Sequence, residues 1–145
     1  PLPVQSNRPV PYRVHRSITY LDKLSNGEHD MALAGWIGDN GDPDNFLYTL
    51  LDKNNTKKGS AANYAFYRDE QVHQLLLEAQ QVYGQDERSD LYKRAQELIH
   101  EDAPWVPLFH STQMMATNAR VKGFYLHPVG EKRFGSIYWT TKGNE

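Results

Sequence analysis

The sequence predicts an α/β fold in which helices flank a short mixed sheet. Two observations favour it: a short apolar run leads through a glycine- and acid-rich loop into a helix, and two later segments carry apolar residues at the 3.6-residue spacing of amphipathic helices. Further apolar runs, broken by proline and glycine, are typical of strands near edges and turns. With 145 residues, the chain has the length of about one domain and is long enough to bury a core.

The N-terminal part contains an irregular start, the end of a helix and the first apolar run. Residues 1–12 are rich in proline and polar side chains, so we expect no regular structure there. Residues 20–24 have the pattern of the last turns of a helix, and Gly27 is placed to cap its end. Residues 31–34 form a short apolar run that suits a strand buried on both faces, although the run alone does not exclude a helix.

The loop after this run leads into a helix predicted at residues 43–52. Asp42 is a good N-cap, and Pro43 is tolerated at the first helical position. The apolar residues of this helix recur at helical spacing: Phe46, Leu47, Leu50 and Leu51. Trp36 and Asp39 therefore lie just past the end of a predicted strand, a position from which side chains reach a binding cleft.

Two more helices are predicted at residues 70–83 and 87–101. Asp69 can cap the first and Asp86 the second, and the second ends before Pro104. Each helix carries one apolar stripe, which we expect to face the core. The stripes consist of Val72, Leu75, Leu76, Ala79 and Val82, and of Leu91, Ala95, Leu98 and Ile99.

The remaining segments are predicted as a loop and as extended runs. Residues 54–63 are rich in asparagine, lysine, glycine and serine, so we expect a surface loop. Four later runs are predicted to be strands or extended segments, with edges and turns set by their prolines and glycines. These runs are residues 105–109, 113–116, 121–126 and 136–139.

Composition narrows the classes of function. The formal net charge is -2 and no long basic tract is present, which makes nucleic acid a poor partner. No apolar run approaches the roughly 18 residues that a membrane-spanning helix needs. The absence of cysteine removes disulfides and cysteine-based metal sites, and it is compatible with any compartment.

An ordered pattern surrounds the acidic loop. Gly-Trp is followed by an aspartate three residues after the Trp, then by Asp-Pro, Asn and Phe-Leu, and these are Gly35-Trp36, Asp39, Asp42-Pro43, Asn45 and Phe46-Leu47. This pattern resembles that of the extracytoplasmic solute-binding proteins of ABC importers, in the peptide- and nickel-binding family. Further segments keep the order and spacing of the family: residues 63–64, 91–96, 99–104 and 121–123.

The resemblance implies the C-terminal part of a two-lobed, type II periplasmic-binding-protein-like fold, because members are several times longer than this chain. After the irregular end at residues 1–12, residues 13–122 would belong to the second lobe and residues 123–145 would return to the first. The implied partners are a peptide or other small solute, an ABC permease and the missing N-terminal lobe. In isolation, we expect the chain to self-associate through exposed apolar residues at Trp105, Phe109 and 134–139.

The resemblance implies capture of a di- or oligopeptide outside the cytoplasmic membrane, by a periplasmic protein or a cell-surface lipoprotein. The predicted ligand-binding residues are Gly35, Trp36, Ile37 and Asp39. In the peptide-binding members the aspartate at this position holds the amino terminus of the ligand, a cation at neutral pH with which a carboxylate pairs strongly. The backbone of residues 35–37 would bond the peptide main chain without reading side chains, and Trp36 would line a side-chain pocket.

Other functions remain open at this point. The same architecture could bind a different solute, such as a nickel complex, a sugar or a signal peptide, and a small hydrolase could use Asp39 and Asp42 as acid and base. The loop does not fit an EF-hand, because counting from Asp39 places Pro43 at the fifth position and Leu50 at the twelfth, where calcium needs oxygen ligands. The six histidines lack the tight spacing of metal ligands, so we predict no metal, no cofactor and no catalytic residue.

Overall fold

The structure is a computed structural model that describes residues 17–141. In this range the chain forms helices α1 (Ser17–Asn26), α2 (Asp44–Leu51), α3 (Glu70–Gln81) and α4 (Gln85–Asp102), with a short 3-10 turn at Lys53–Asn55. Two short strands follow, β1 (Val121–Lys122) and β2 (Tyr138–Trp139). The irregular end predicted at residues 1–12 lies outside the described residues. No helix among the residues described is both long enough and apolar enough to cross a membrane.

Helix α1 ends as its sequence predicts. Gly27 adopts a left-handed conformation with φ +68°, and its N–H donates to the carbonyl oxygen of Leu24 at 3.0 Å. The N–H of Glu28 reaches back to the carbonyl oxygen of Lys23, also at 3.0 Å. These two bonds form a Schellman motif, which satisfies helix carbonyls that would otherwise lack a partner. Glycine is required here, since a side chain at φ +68° would be strained and would also meet the ring of Phe66 at 2.9 Å.

The core lies between α3 and α4, whose predicted apolar stripes meet. Buried residues on the two helices are Val72, Leu75, Leu76 and Ala79, and Leu91, Tyr92 and Ala95. Ala79 and Ala95 are completely buried, and their small side chains allow the helices to approach closely. Val82, Leu98 and Ile99 pack against this cluster from its edge. The predicted orientation of both stripes is therefore confirmed.

The helix boundaries confirm one predicted cap and correct another. Asp69 caps α3, because its Oδ1 accepts a hydrogen bond from the N–H of Val72 at 2.8 Å. The capping role predicted for Asp86 is wrong: α4 begins at Gln85 with Gly84 as its N-cap, which places Asp86 inside the first turn. A carboxylate in the first turn still complements the helix dipole.

The sheet of the described residues is a single antiparallel pair, with Val121 opposite Trp139 and Lys122 opposite Tyr138. Its two strands lie inside two of the predicted runs. The strand expected at residues 31–34 is not formed, and residues 105–109 and 113–116, predicted to be strands or extended segments, contain no strand. A strand needs a neighbour to satisfy its backbone N–H and C=O groups, and within residues 17–141 the structure pairs none of these runs with one.

Large apolar side chains remain exposed at the predicted places. Trp105 is 41% exposed and Phe109 76%, and Phe134, Tyr138 and Trp139 are each more than half exposed. Exposed apolar surface of this kind commonly marks a region of interaction. Self-association through it stays a prediction.

A buried polar cluster joins the end of α2 to α3. Asp52 is fully buried; its Oδ1 accepts from the N–H of Asn54 at 2.8 Å, and its Oδ2 lies 2.7 Å from Nδ1 of His73. Asn63 is also fully buried, and its Nδ2 donates to the carbonyl oxygens of Asp52 at 3.1 Å and Tyr67 at 2.9 Å. The predicted surface loop at residues 54–63 is thus anchored in the interior at Asn63.

Candidate functional site

The candidate site is the loop that runs from Gly35 to the start of α2. Asn45, in the first turn of α2, organises it: its Oδ1 accepts from Nε1–H of Trp36 and from the backbone N–H of Asp39, both at 3.1 Å. Its Nδ2 donates to Oδ2 of Asp39 over a longer distance of 3.5 Å. One asparagine side chain therefore brings Trp36 and Asp39 to the N-terminal end of the same helix.

All four predicted ligand-binding residues lie at the surface. Trp36 is 44% exposed and Ile37 52%, and Gly35 and Asp39 are exposed as well. The backbone N–H and C=O groups of residues 35–37 make no hydrogen bond to any other group in the described part of the chain. This backbone is accordingly free of described protein partners and open to an external main chain.

Gly38 packs the loop against α2. It is buried, and a Cβ added to it would lie 2.6 Å from the ring of Phe46, which is closer than real contacts allow. Glycine at this position lets the backbone pass directly over the aromatic ring. The turn between Trp36 and Asp39 is thus fixed by the packing of Gly38 on Phe46 and by the hydrogen bonds of Asn45.

Arg88, in the first turn of α4, ties the same loop to the helical core. Its two terminal nitrogens donate to the two carboxylate oxygens of Asp42, each at 2.8 Å. Its Nε donates to the carbonyl oxygen of Ala79 at 3.0 Å, and Nη2 also donates to the hydroxyl of Tyr92 at 2.8 Å. The hydrogen bonds from Arg88 hold the pKa of Asp42 below its ordinary value, against the opposing effect of burial.

The capping role predicted for Asp42 is corrected: the N-cap of α2 is Pro43, and the carboxylate of Asp42, one residue earlier, bonds the first residue of the helix. Its Oδ1 accepts from the N–H of Asp44 at 2.9 Å. The helix itself begins at Asp44, one residue later than predicted, and Pro43 precedes it with helical angles of φ -56° and ψ -30°. Asp42 therefore combines a hydrogen bond to the first residue of α2 with a bidentate ion pair, which leaves its carboxylate poorly suited to act as an acid or base.

The ion pair makes a pH-dependent contribution to stability. Because the pKa of Asp42 is lowered in the folded protein, this contribution is complete above the pKa of the unfolded chain and is lost as the pH falls through the lowered value. We expect Asp42→Asn, which keeps an acceptor for the N–H of Asp44, to lower the free energy of unfolding by about 1 kcal/mol at pH 7, since the pair is partly exposed.

The difference in unfolding free energy between Asp42→Asn and the wild type should shrink as the pH falls below about 4. Denaturant titrations of both proteins between pH 7 and pH 3 measure it. Asp44→Asn is the matched control, because Asp44 accepts from Gln80 instead of from a cation. A difference that stays constant over this range would contradict the role of the charge.

Other places in the structure offer less to a ligand. Within residues 17–141, no three His, Asp or Glu side chains are grouped to hold a metal ion. An open groove of about 590 Å³ lies between α3 and α4, and it contains none of the predicted ligand-binding residues. Its walls include four carboxylates, those of Glu70, Glu78, Glu97 and Glu101, and one cationic side chain, that of Arg94.

Sequence reasoning missed two residues that shape the site. Asn45 is part of the pattern quoted from the sequence, but the pattern gave no indication that its amide faces both Trp36 and Asp39. Arg88 lies 46 residues after Asp42, and no local signal in the sequence connects them. The sequence does indicate the contact of Arg88 with Tyr92, because residues four apart are neighbours on a helix.

Known proteins similar in sequence to this chain include several peptide-binding proteins and a heme-binding protein. No protein-family model matches it. It is 40% identical over 117 residues to probable di/tripeptide-binding protein 5 of Pseudomonas aeruginosa, covering 81% of this chain and 22% of that protein. It is 36% identical over 118 residues to the dipeptide-binding protein of Escherichia coli, with 81% and 22% covered. The heme-binding protein A of Haemophilus influenzae is 39% identical over 118 residues, with 81% and 21% covered.

Solved structures similar to this chain also include peptide-binding proteins. The periplasmic binding protein DppA of Helicobacter pylori, in complex with the peptide STSA, matches with a TM-score of 0.74 and 39% identity, covering 88% of this chain and 25% of that one. The dipeptide-binding protein of Pseudoalteromonas sp. SM9913, in complex with Met-Leu, matches with a TM-score of 0.77 and 28% identity, covering 87% and 24%.

The chain thus spans about a fifth of the length of the curated relatives, and its fold is that of a part of a periplasmic solute-binding protein. More particularly, it is homologous to dipeptide-binding proteins of family 5 of the solute-binding proteins.

Proposed function

We propose that this chain is the C-terminal part of a two-lobed protein that captures a di- or oligopeptide outside the cytoplasmic membrane and delivers it to an ABC permease. The observation that carries the proposal is the joint placement of Trp36, Asp39 and unpaired backbone at the start of α2. The names of its relatives support peptides as the class of ligand, since several are called di/tripeptide- or dipeptide-binding proteins.

Each part of the loop has a role in this proposal. The carboxylate of Asp39 pairs with the charged amino terminus of the peptide, and this contact fixes one end of the ligand. The backbone groups of Gly35 and Ile37 bond the main chain of an extended peptide, which gives affinity without strong preference for its sequence. The exposed indole of Trp36 contacts a ligand side chain.

The exposed surface of the chain fits the same proposal. Residues 13–122 belong to the second lobe and residues 123–145 return to the first, so the ligand is enclosed between the lobes. The apolar side chains of Trp105 and Phe109, which are exposed in the described part, are covered in the two-lobed protein by the other lobe. The protein works in the periplasm or as a lipoprotein at the cell surface, where it meets peptides before the permease.

Binding without turnover is the test of this function. The two-lobed protein is mixed with Met-Leu and, separately, with Ser-Thr-Ser-Ala, the peptides bound by two of its structural relatives. We expect saturable binding of one peptide per protein in calorimetry and recovery of the intact peptide by mass spectrometry. A protein that binds neither of the two peptides would contradict peptide capture. The appearance of free amino acids would favour the hydrolase instead.

A further inference from the structure

We propose that Asn45 is the positioning residue of the peptide site, because it sets the orientation of both Trp36 and Asp39. This inference rests on the proposed function and adds a residue that contacts the ligand-binding groups without being one of them. The geometry assigns Asn45 this role through three contacts from one side chain, to the indole, to the backbone of Asp39 and to its carboxylate.

The amide oxygen of Asn45 is fully used by these contacts. An amide oxygen has two lone pairs, and here one accepts from Nε1–H of Trp36 and the other from the N–H of Asp39. The two donors lie nine and six residues earlier in the chain, in a loop without regular structure. Asn45 itself belongs to α2, and its N–H is bonded to the carbonyl oxygen of Asp42 at 3.2 Å. The helix is therefore the rigid support and the loop is the part that is positioned.

The exposure of Trp36 makes the hydrogen bond decisive for its orientation. With 44% of its surface exposed, the indole is only partly fixed by packing. A hydrogen bond at its single N–H restricts the rotation of the ring about both side-chain torsions. Without it, the ring would sample several orientations, and binding a peptide would require the loss of that freedom.

The contact from Asn45 orients the carboxylate of Asp39 and leaves most of its acceptor positions free. A carboxylate has about four acceptor positions, and the 3.5 Å bond from Nδ2 of Asn45 is a long one that occupies one of them. The remaining positions can accept from an ammonium group, which carries three donors. Asn45 thus aims the carboxylate while leaving it able to bind the amino terminus of a peptide.

The test uses Asn45→Ala with a control from the same loop. Asn45→Ala removes all three contacts. Asn40→Ala is the matched control, because the Oδ1 of Asn40 also accepts a backbone N–H, that of Asp42 at 3.0 Å, but the bond does not involve Trp36 or Asp39. Both variants are prepared in the two-lobed protein, and their far-ultraviolet circular dichroism and melting temperature confirm folding before binding is measured.

We expect Asn45→Ala to raise the Kd for Met-Leu by about tenfold to a hundredfold, since two good hydrogen bonds that hold the site are lost. Asn40→Ala should change the Kd by no more than about twofold to threefold, as is usual for a surface substitution. Trp36→Phe removes the indole donor but keeps an aromatic ring. Combined with Asn45→Ala, it should weaken binding by less than the product of the two single effects, because both variants remove the same bond.

A spectroscopic readout separates positioning from a general loss of structure. The indole N–H resonance of Trp36, assigned with Trp36→Phe, should shift in Asn45→Ala and stay in place in Asn40→Ala. Asn45→Asp keeps an acceptor oxygen, so its indole N–H should stay hydrogen-bonded, and its resonance should not move in the direction seen in Asn45→Ala. This variant serves as the second test if Asn45→Ala does not fold.

The outcomes distinguish this inference from the function on which it rests. A wild-type protein that binds neither Met-Leu nor Ser-Thr-Ser-Ala would contradict the proposed function. Wild-type binding together with equal affinities of Asn45→Ala and Asn40→Ala would overturn the role of Asn45 alone. An indole resonance that does not respond to Asn45→Ala, or that shifts equally in Asn45→Asp, would also overturn it.

Discussion

In the proposed two-lobed protein, Asp39→Asn is expected to weaken the binding of a free dipeptide by about 2 to 5 kcal/mol. This corresponds to an increase in Kd of about one and a half to three and a half decades. Asparagine keeps the shape of the side chain and one acceptor, but it loses the charge that pairs with the amino terminus of the ligand. Much of the loss arises because the ligand cation is left unpaired in a cleft from which water has been removed. The fold should persist, since Asp39 is an exposed loop residue.

Calorimetry with Met-Leu measures the effect of Asp39→Asn, and two comparisons make the result specific. Asp44→Asn removes the same charge five positions later, where the carboxylate is bonded to Gln80, and it should leave the Kd nearly unchanged. Acetylation of the peptide amino terminus should mimic Asp39→Asn, and the two changes together should be less than additive because they remove one pair. Equal binding of the acetylated and free peptides would show that Asp39 is an ordinary loop residue.

The elements that the sequence predicts well are those that depend on local pattern. The helices α3 and α4 lie where the apolar spacing places them, because each stripe needs only the facing helix to bury it. The cap by Asp69 and the left-handed end at Gly27 follow from the same short-range rules. The motif residues Trp36 and Asp39 could likewise be singled out from the chain alone.

The contacts that could not be predicted join residues far apart in the chain. Asp42 and Arg88 are 46 residues apart, and Asp52 and His73 are 21 apart. The expected strand at residues 31–34 shows the same limit, since an apolar run becomes a strand only when a neighbour pairs with its backbone. Local pattern thus locates the candidate site, whereas tertiary contacts through Asn45 and Arg88 decide how that site is held.

His73→Ala is expected to lower the free energy of unfolding by about 3 to 5 kcal/mol, because it removes the partner of a buried carboxylate. Asp52 is completely buried, and His73 is 7% exposed. In the absence of His73, the remaining described contact of the carboxylate is the N–H of Asn54, at 2.8 Å. A buried charge that loses its partner retains the cost of desolvation without the compensating interaction.

Denaturation by urea, followed by circular dichroism, measures the loss of stability in His73→Ala. His100→Ala is the matched control, since His100 is an exposed histidine on the neighbouring helix α4, and it should change the free energy of unfolding by less than about 0.5 kcal/mol. The double variant Asp52→Ala/His73→Ala should lose less free energy of unfolding than the sum of the two single variants, because removing both partners leaves no buried group without its partner. Additive losses would mean that Asp52 and His73 stabilise the protein independently, through packing and the bond to Asn54, and that the 2.7 Å contact between them contributes little.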